Sequence, residues 1–245
     1  MKYYDSHFHL PAATMEGLTS VLASLEKGPA GFVGGNLILT SQAEIDLICA
    51  NRKLVPATIT LVPLLDKALN CPAGILDAGW YKIHPVLQGI TQKRISPLLD
   101  LIYSYRTPVK GVMVHYFPWG NDMEYHTSLE LVMGLAERFP KMQIVVSHGG
   151  GYESWMVRAH TTGFTNISYD FAGTLAHFKG TSYLKPLQIY LKEIPDRVLF
   201  GSDWPSSDRN EQLQTLVKLA AEVGISEAEL EKVIVGNAMR LWGKA

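Results

Sequence analysis

Eight short runs rich in β-branched and aromatic residues recur along this chain, each followed by a longer helix-like stretch. That alternation limits the fold more than any other feature, because it is the pattern of parallel β-α-β units. The runs are Lys2–His7, Gly31–Leu39, Leu54–Leu61, Trp80–His84, Val109–His115, Gln143–His148, Thr165–Asp170 and Arg197–Asp203. Three helix-like stretches are predicted to open on a capping box: Ser41 with Glu44, Thr127 with Glu130, and Ser226 with Glu229. Ile225 and Leu230 stand where a hydrophobic staple would pack, and Pro140 ends the helix before the sixth run. Eight parallel strands either close into a barrel or lie open in a doubly wound sheet. The open sheet binds at one crevice, whereas a barrel brings every C-terminal strand end to one mouth. The chain has 245 residues, close to the ~250 of an eight-unit barrel. No linker or repeat divides it. The expected fold class is therefore α/β, a single (β/α)8 TIM barrel over residues 1–245.

Composition removes several function classes. Hydrophobic residues make up 47% of the chain and charged residues 18%, enough apolar material for a sizeable core. Lys and Arg (22) nearly balance Asp and Glu (23), for a net charge of -1. Binding to phosphate backbones or anionic membranes calls for a basic surplus, so neither nucleic acid nor membrane is expected as a partner. The two cysteines, Cys49 and Cys71, are too few for a disulfide framework and fit no zinc finger. The N-terminus lacks the apolar core of a signal peptide, and no apolar run approaches the ~18 residues of a membrane span. A cytoplasmic protein acting on a small molecule is expected, with a homo-oligomer left open.

The polar residues are not scattered. Of eight histidines, five lie at or just past the end of a predicted strand: His7, His9, His84, His115 and His148. Asp170 and Asp203 close two further strands. In a barrel these positions converge on one pocket. Residues two apart on a strand share a face, so His7 and His9 point together and can grip one metal ion. Chance alone gives on the order of 0.3 such pairs in a chain like this, so the pair gains weight only from its company. Val112-Met113-Val114-His115 and Ile144-Val145-Val146-Ser147-His148 are buried-type strands whose closing histidine is the first polar group at the mouth. Asp203 ends the last strand, where a carboxylate can bind a metal and take a proton from water. The alternative role of helix N-cap falls better to Ser206, Ser207 or Asp208. Lys82 and His84 share a face near the end of the fourth strand. Tyr116, Phe117, Trp119 and Trp204 follow mouth positions and are candidates to line a substrate pocket. His126, His160 and His177 read as surface residues. No G-x-S-x-G elbow, G-x-G-x-x-G or P-loop occurs.

Asp5-Ser6-His7-Phe8-His9-Leu10 resembles the opening of the amidohydrolase superfamily. Phe139-Pro140, His148-Gly149-Gly150, Leu199 to Pro205 and Gly236-Asn237-Ala238-Met239-Arg240-Leu241 resemble its amidohydrolase-2 branch. That branch includes aminocarboxymuconate-semialdehyde decarboxylase and related metal-dependent hydrolases. The resemblance runs in order from residue 5 to 242. It implies a barrel holding one divalent ion, Zn²⁺ first, with Mn²⁺ or another divalent ion as alternatives. It assigns His7, His9, His115 and Asp203 as ligands and His148 as the catalytic histidine. Lys82 stands where binuclear members of the superfamily carry a carboxylated lysine that bridges two metals, whereas in the amidohydrolase-2 branch that lysine is generally not a ligand, and a second metal is left open. Here it is expected to pair with a substrate carboxylate or a neighbouring Asp, with His84, Tyr116, Trp119 and Trp204 as further substrate contacts. The expected activity is metal-assisted hydrolysis of an amide, lactone or ester in a small polar substrate. The alternative is a non-oxidative carboxy-lyase using the same residues. A non-catalytic metal-binding barrel is disfavoured by the pairing of Asp203 with His148.

Overall fold

In the computed structural model, residues 1–27, 31–68, 70, 79–104, 109–117 and 127–243 are described. Eight strands follow in chain order: β1 Tyr3–His9, β2 Phe32–Leu39, β3 Ile59–Pro63, β4 Trp80–Ile83, β5 Gly111–Val114, β6 Gln143–Val146, β7 Ile167–Asp170 and β8 Val198–Leu199. All pair in parallel, as β1-β2-β3 and β4-β5-β6-β7-β8. Parallel bridges join these two ladders on both edges. Leu64 pairs with Lys82 beyond β3, and Phe8 pairs with Trp204 beyond β8. At the second seam the amides of Ser6 and His9 donate to the carbonyls of Phe200 and Trp204, at 2.9 and 2.8 Å. The amide of Asp203 donates back to the carbonyl of His7 at 2.8 Å. The sheet is thus closed, and helices cover its outside, as the alternation in sequence predicts.

Strand periodicity decides what lies inside. On β4, Tyr81 and Ile83 join the apolar layer beneath the helices, while Trp80 joins the interior of the barrel. On β5, Val112 and Val114 face the helices and Met113 faces inward. Lys82 and His115 keep the inward parity of Trp80 and Met113. The interior is filled by Tyr4, Ile38, Val62, Trp80, Met113, Val145 and Leu199, seven strands supplying one side chain each. Trp242, past the last helix (Asn237–Leu241), plugs this layer: its ring stacks on Tyr4 at 5.9 Å and tilts against Trp80 at 4.9 Å. A register shift lies between Asp5 and Phe8 of β1. It lets Tyr4 and His7, three residues apart, both face the interior.

Several boundaries differ from the sequence reading. Residues Arg52–Leu54 form a 3₁₀ turn, so the third strand starts only at Ile59, after Pro56. The last strand is regular only over Val198–Leu199, because Pro195–Arg197 is a turn and Phe200 donates its amide to Val233, outside the sheet. The boxes at Ser41/Glu44 and Ser226/Glu229 form, and Asp208 caps the helix Arg209–Val223. The box expected at Thr127/Glu130 does not form, since the Thr127 hydroxyl is drawn to the carbonyl of Ile90 at 3.0 Å. Phe139 ends the helix Ser128–Arg138, as the following proline requires. Among the described residues no helix is long and apolar enough to cross a membrane.

Removing the plug tests the packing argument. Trp242→Ala should lower the unfolding free energy by about 3–5 kcal/mol, the usual effect of emptying a buried Trp site. Urea denaturation followed by circular dichroism measures it. A loss below ~1 kcal/mol would show that the ring is not part of the core.

Candidate metal centre

The closed seam between β1 and β8 sets the centre. His7 and His9 stand at the end of β1, and the hydrogen bond from the Asp203 amide to the His7 carbonyl pulls Asp203 alongside them. His7 Nε2 lies 3.2 Å from His9 Nε2, and Asp203 Oδ1 is 3.4 Å from His9 Nε2 and 3.8 Å from His7 Nε2. Tetrahedral zinc with bonds of ~2.0–2.1 Å separates its ligand atoms by roughly 3.3 Å. The three donor atoms therefore fit one such ion, and three protein ligands leave a position open.

Partners outside the trio fix where the lone pairs point. Asp170, fully buried at the end of β7, takes the Nδ1–H of His7 at 3.1 Å, leaving Nε2 as the donor for a metal. Burial holds His7 neutral, with its pKa pushed down to about 3. Burial would raise the Asp170 carboxyl, but the adjoining His7, His148 and Lys82 hold it below the usual carboxylate range. The Asp203 carboxyl is likewise depressed against its burial, by the hydrogen bond from His9 and by His148 and His7.

His115 and His148 form the next wall. His148 donates Nδ1–H to the Ala172 carbonyl at 2.8 Å, so its Nε2 accepts from His115 Nδ1 at 3.0 Å. Burial pushes both imidazoles below their ordinary pKa. The described group of mutually close donors is thus narrower than the four-ligand set expected: His115 adjoins it through His148, whose ring centre is 5.1 Å from that of His7. His84 stacks on His115 with ring centres 3.8 Å apart. It also caps the short helix Pro85–Gln88, and burial pushes its pKa down to about 3.

His148 reaches the mouth by a route the strand pattern does not show. By alternation Ser147 faces inward, and its Oγ takes a hydrogen bond from Lys82 Nζ at 2.6 Å. His148 would then face the helices. Instead its backbone is left-handed (φ 62°), followed by Gly149, Gly150 and Gly151, all at positive φ. The turn swings the imidazole back, and the Asp170 carboxylate holds its amide at 3.0 Å. Among the described residues, His148 and Asp203 (φ 60°) are the non-glycine residues with positive φ. Such backbone is uncommon outside glycine and concentrates at functional sites.

A cleft of ≈ 520 Å³ opens beside the trio, lined in part by His115, Phe117, His148, His177, Asp203 and Glu211. That volume suits a small molecule. Lys82 lies beneath the mouth, only 2% exposed, and burial pushes its pKa down to about 8. Tyr116 does not line the cleft: it is buried in the layer under the helices, its hydroxyl donating to Glu153 at 2.8 Å. Trp204 packs on the apolar cluster around Phe8. Trp119, His126 and Cys71 lie outside the described residues. His160 is a surface residue as expected. His177 is exposed too, but on the cleft wall, 2.8 Å from the Tyr152 hydroxyl. Its short helix, Thr174–His177, follows β7 directly, and that position at a strand's C-terminal end was the available signal.

Comparison with known proteins agrees with this architecture. The structure is similar to that of an uncharacterized TIM-barrel protein from Bordetella bronchiseptica (TM-score 0.74, 16% identity, 100% of this chain and 99% of the other). It is also similar to 5-carboxyvanillate decarboxylase from Sphingomonas paucimobilis (TM-score 0.60, 13% identity, 99% of both chains). A third is N-isopropylammelide isopropylaminohydrolase from Burkholderia multivorans (TM-score 0.57, 12% identity, 99% of this chain and 74% of the other). No curated protein matches in sequence. Residues 81–244, well over half of the chain, match the family model Amidohydro_2, described as Amidohydrolase. The chain belongs to the amidohydrolase family.

Proposed function

We propose that this is a cytoplasmic Zn²⁺-dependent hydrolase that opens an amide, lactone or ester bond in a small, carboxylate-bearing molecule. One observation carries the reading: His7 Nε2, His9 Nε2 and Asp203 Oδ1 converge at the spacing of a single ion, beside a buried neutral His148. When bound, the ion supplies Lewis acidity and brings the pKa of water towards neutrality. Asp203, ionised and 19% exposed, takes a proton from the attacking water and passes it to the leaving group. Opening of the His115–His148 hydrogen bond would free an imidazole N–H to offset negative charge on the carbonyl oxygen. His115 completes the metal-side wall, and Lys82 favours a negatively charged substrate group from below.

A second reading keeps the residues and changes the bond. In a carboxy-lyase the substrate carboxylate is drawn to the same cradle, CO2 leaves, and a proton is delivered to carbon. The buried cation at Lys82 and the structural likeness to a 5-carboxyvanillate decarboxylase support it.

Three outcomes are expected. His7→Ala and Asp203→Ala should each remove turnover and bound metal while circular dichroism still shows a folded protein; full activity in either sinks the site assignment. A panel of lactones, amides and unsaturated carboxylates, assayed in parallel for acid production and CO2 release, should show hydrolysis. CO2 as the sole product would establish the carboxy-lyase. Finally, Lys82 is charged below its pKa of about 8 and neutral above it. For a carboxylate substrate kcat/KM should fall as pH rises past about 8, approaching about tenfold per unit as the charged fraction declines. Lys82→Arg, permanently charged, should flatten that limb, and an unchanged limb removes Lys82 from substrate recognition.

A further inference from the structure

Among the described residues, a heavily bonded buried ion pair, Asp5 with Arg209, lies directly behind the donor atoms. Asp5 is fully buried. Its Oδ1 accepts from the amides of His7 (3.3 Å) and Ser202 (2.8 Å), and its Oδ2 from the Ser202 hydroxyl (2.7 Å) and Arg209 Nε (2.8 Å). One carboxylate thus holds the backbone of a metal ligand on β1 and of the residue preceding a metal ligand after β8. Arg209, 3% exposed, meets the same two segments from the other side. Its guanidinium carbon lies 5.3 Å from the ring centre of Phe8, between the two histidines, and 5.0 Å from that of Trp204, next to Asp203. Nη1 is anchored on Ser24 Oγ at 2.7 Å, in the helix Met15–Lys27.

Outside the pair itself, these side-chain hydrogen bonds and ring contacts fall on His7-Phe8-His9, on Ser202-Asp203-Trp204, or on the anchor. Neither residue touches the donor atoms. A general stabilising ion pair has no reason to choose these segments, and buried pairs are often no more stabilising than apolar residues of the same shape. Fixing two ligand segments in register is where such a pair gains its effect, because partners behind the ligands tune metal affinity. We infer that Asp5 and Arg209 are positioning residues that hold the His7/His9 and Asp203 segments at metal-binding distance. The inference rests on the metal reading above.

The test is Zn²⁺ binding, measured by competition with a chromophoric chelator on protein first stripped of metal. Arg209→Met and Asp5→Asn should each weaken Zn²⁺ affinity 10- to 100-fold. Arg209→Lys keeps the charge but not the flat fork over both rings, and should give a smaller loss in a protein that folds even where Arg209→Met does not. Arg197→Met serves as a control. It removes a cation that bonds the Ile167 carbonyl and the Tyr169 hydroxyl, remote from the trio, and should lower the melting temperature without changing Zn²⁺ affinity. Folded Arg209 and Asp5 variants that bind Zn²⁺ as the parent does would overturn the inference. A parent protein that binds no Zn²⁺ would overturn the metal reading, and the inference with it.

Discussion

The site depends on how the barrel closes. His7 and Asp203 are 196 positions apart in sequence, and neither local propensity nor helix packing brings such positions together. Three backbone hydrogen bonds do so, from Ser6 to Phe200, from His9 to Trp204 and from Asp203 to His7. They form only when the first strand meets the last, so the donor set cannot assemble in a partly wound sheet. The interior layer from Tyr4 to Trp242 supports that closure from below, since it fills the barrel with one side chain from almost every strand. Packing and chemistry are stacked along one axis: apolar at the plugged end, titratable at the mouth.

Above that layer, orientation is controlled by acceptors one step back from the chemistry. Asp170 is bonded to His7 Nδ1 and to the amides of His148 and Ala172, and the Ala172 carbonyl in turn holds His148 Nδ1. A single carboxylate on β7 therefore sets both imidazoles that flank the open side of the centre. The left-handed backbone of His148 and Asp203 is tolerated because each amide is held, one by Asp170 and the other by the His7 carbonyl. Gly173 belongs to the same arrangement: its backbone is left-handed (φ 70°) and a Cβ there would meet Asp203 Oδ2 at 3.0 Å, so glycine is favoured where the chain after β7 passes the carboxylate.

Much of this was legible in the sequence, for identifiable reasons. Strand alternation paired His7 with His9 and Lys82 with His84, and His115 was marked by closing a buried strand, because a covered parallel strand leaves few other homes for a polar side chain. Strand-end position also singled out His148 and Asp203, and the family resemblance gave them their expected roles. What escaped the sequence needed the third dimension. The imidazole of His148 faces the mouth through a left-handed turn, not through strand parity. Asp170 closes a strand, yet its hold on His7 spans 163 positions. Tyr116 follows a mouth position but falls on the parity that packs under the helices. The Thr127 box failed because a distant carbonyl competed for the hydroxyl. Asp5 and Arg209 were invisible as a pair, since 204 residues separate them.

Charge at the mouth links these parts to the choice of substrate. Asp170 and Asp203 are held ionised, Lys82 carries the opposing charge, and burial keeps His7, His84, His115 and His148 neutral. Two carboxylates against one ammonium leave an excess negative charge in a poorly solvated place, where an uncompensated charge is costly. A divalent cation relieves that excess and reverses its sign. With a divalent ion in place, the sum over Asp170, Asp203, Lys82 and the ion is positive, and on the proposed reading it is the ion and Lys82, not the carboxylates, that attract an anionic group. Replacing Lys82 by a neutral residue would strengthen the pull on the cation and weaken the pull on the anion. On the proposed reading, the buried lysine would therefore balance two affinities that a site built from carboxylates and imidazoles alone would tip towards the metal.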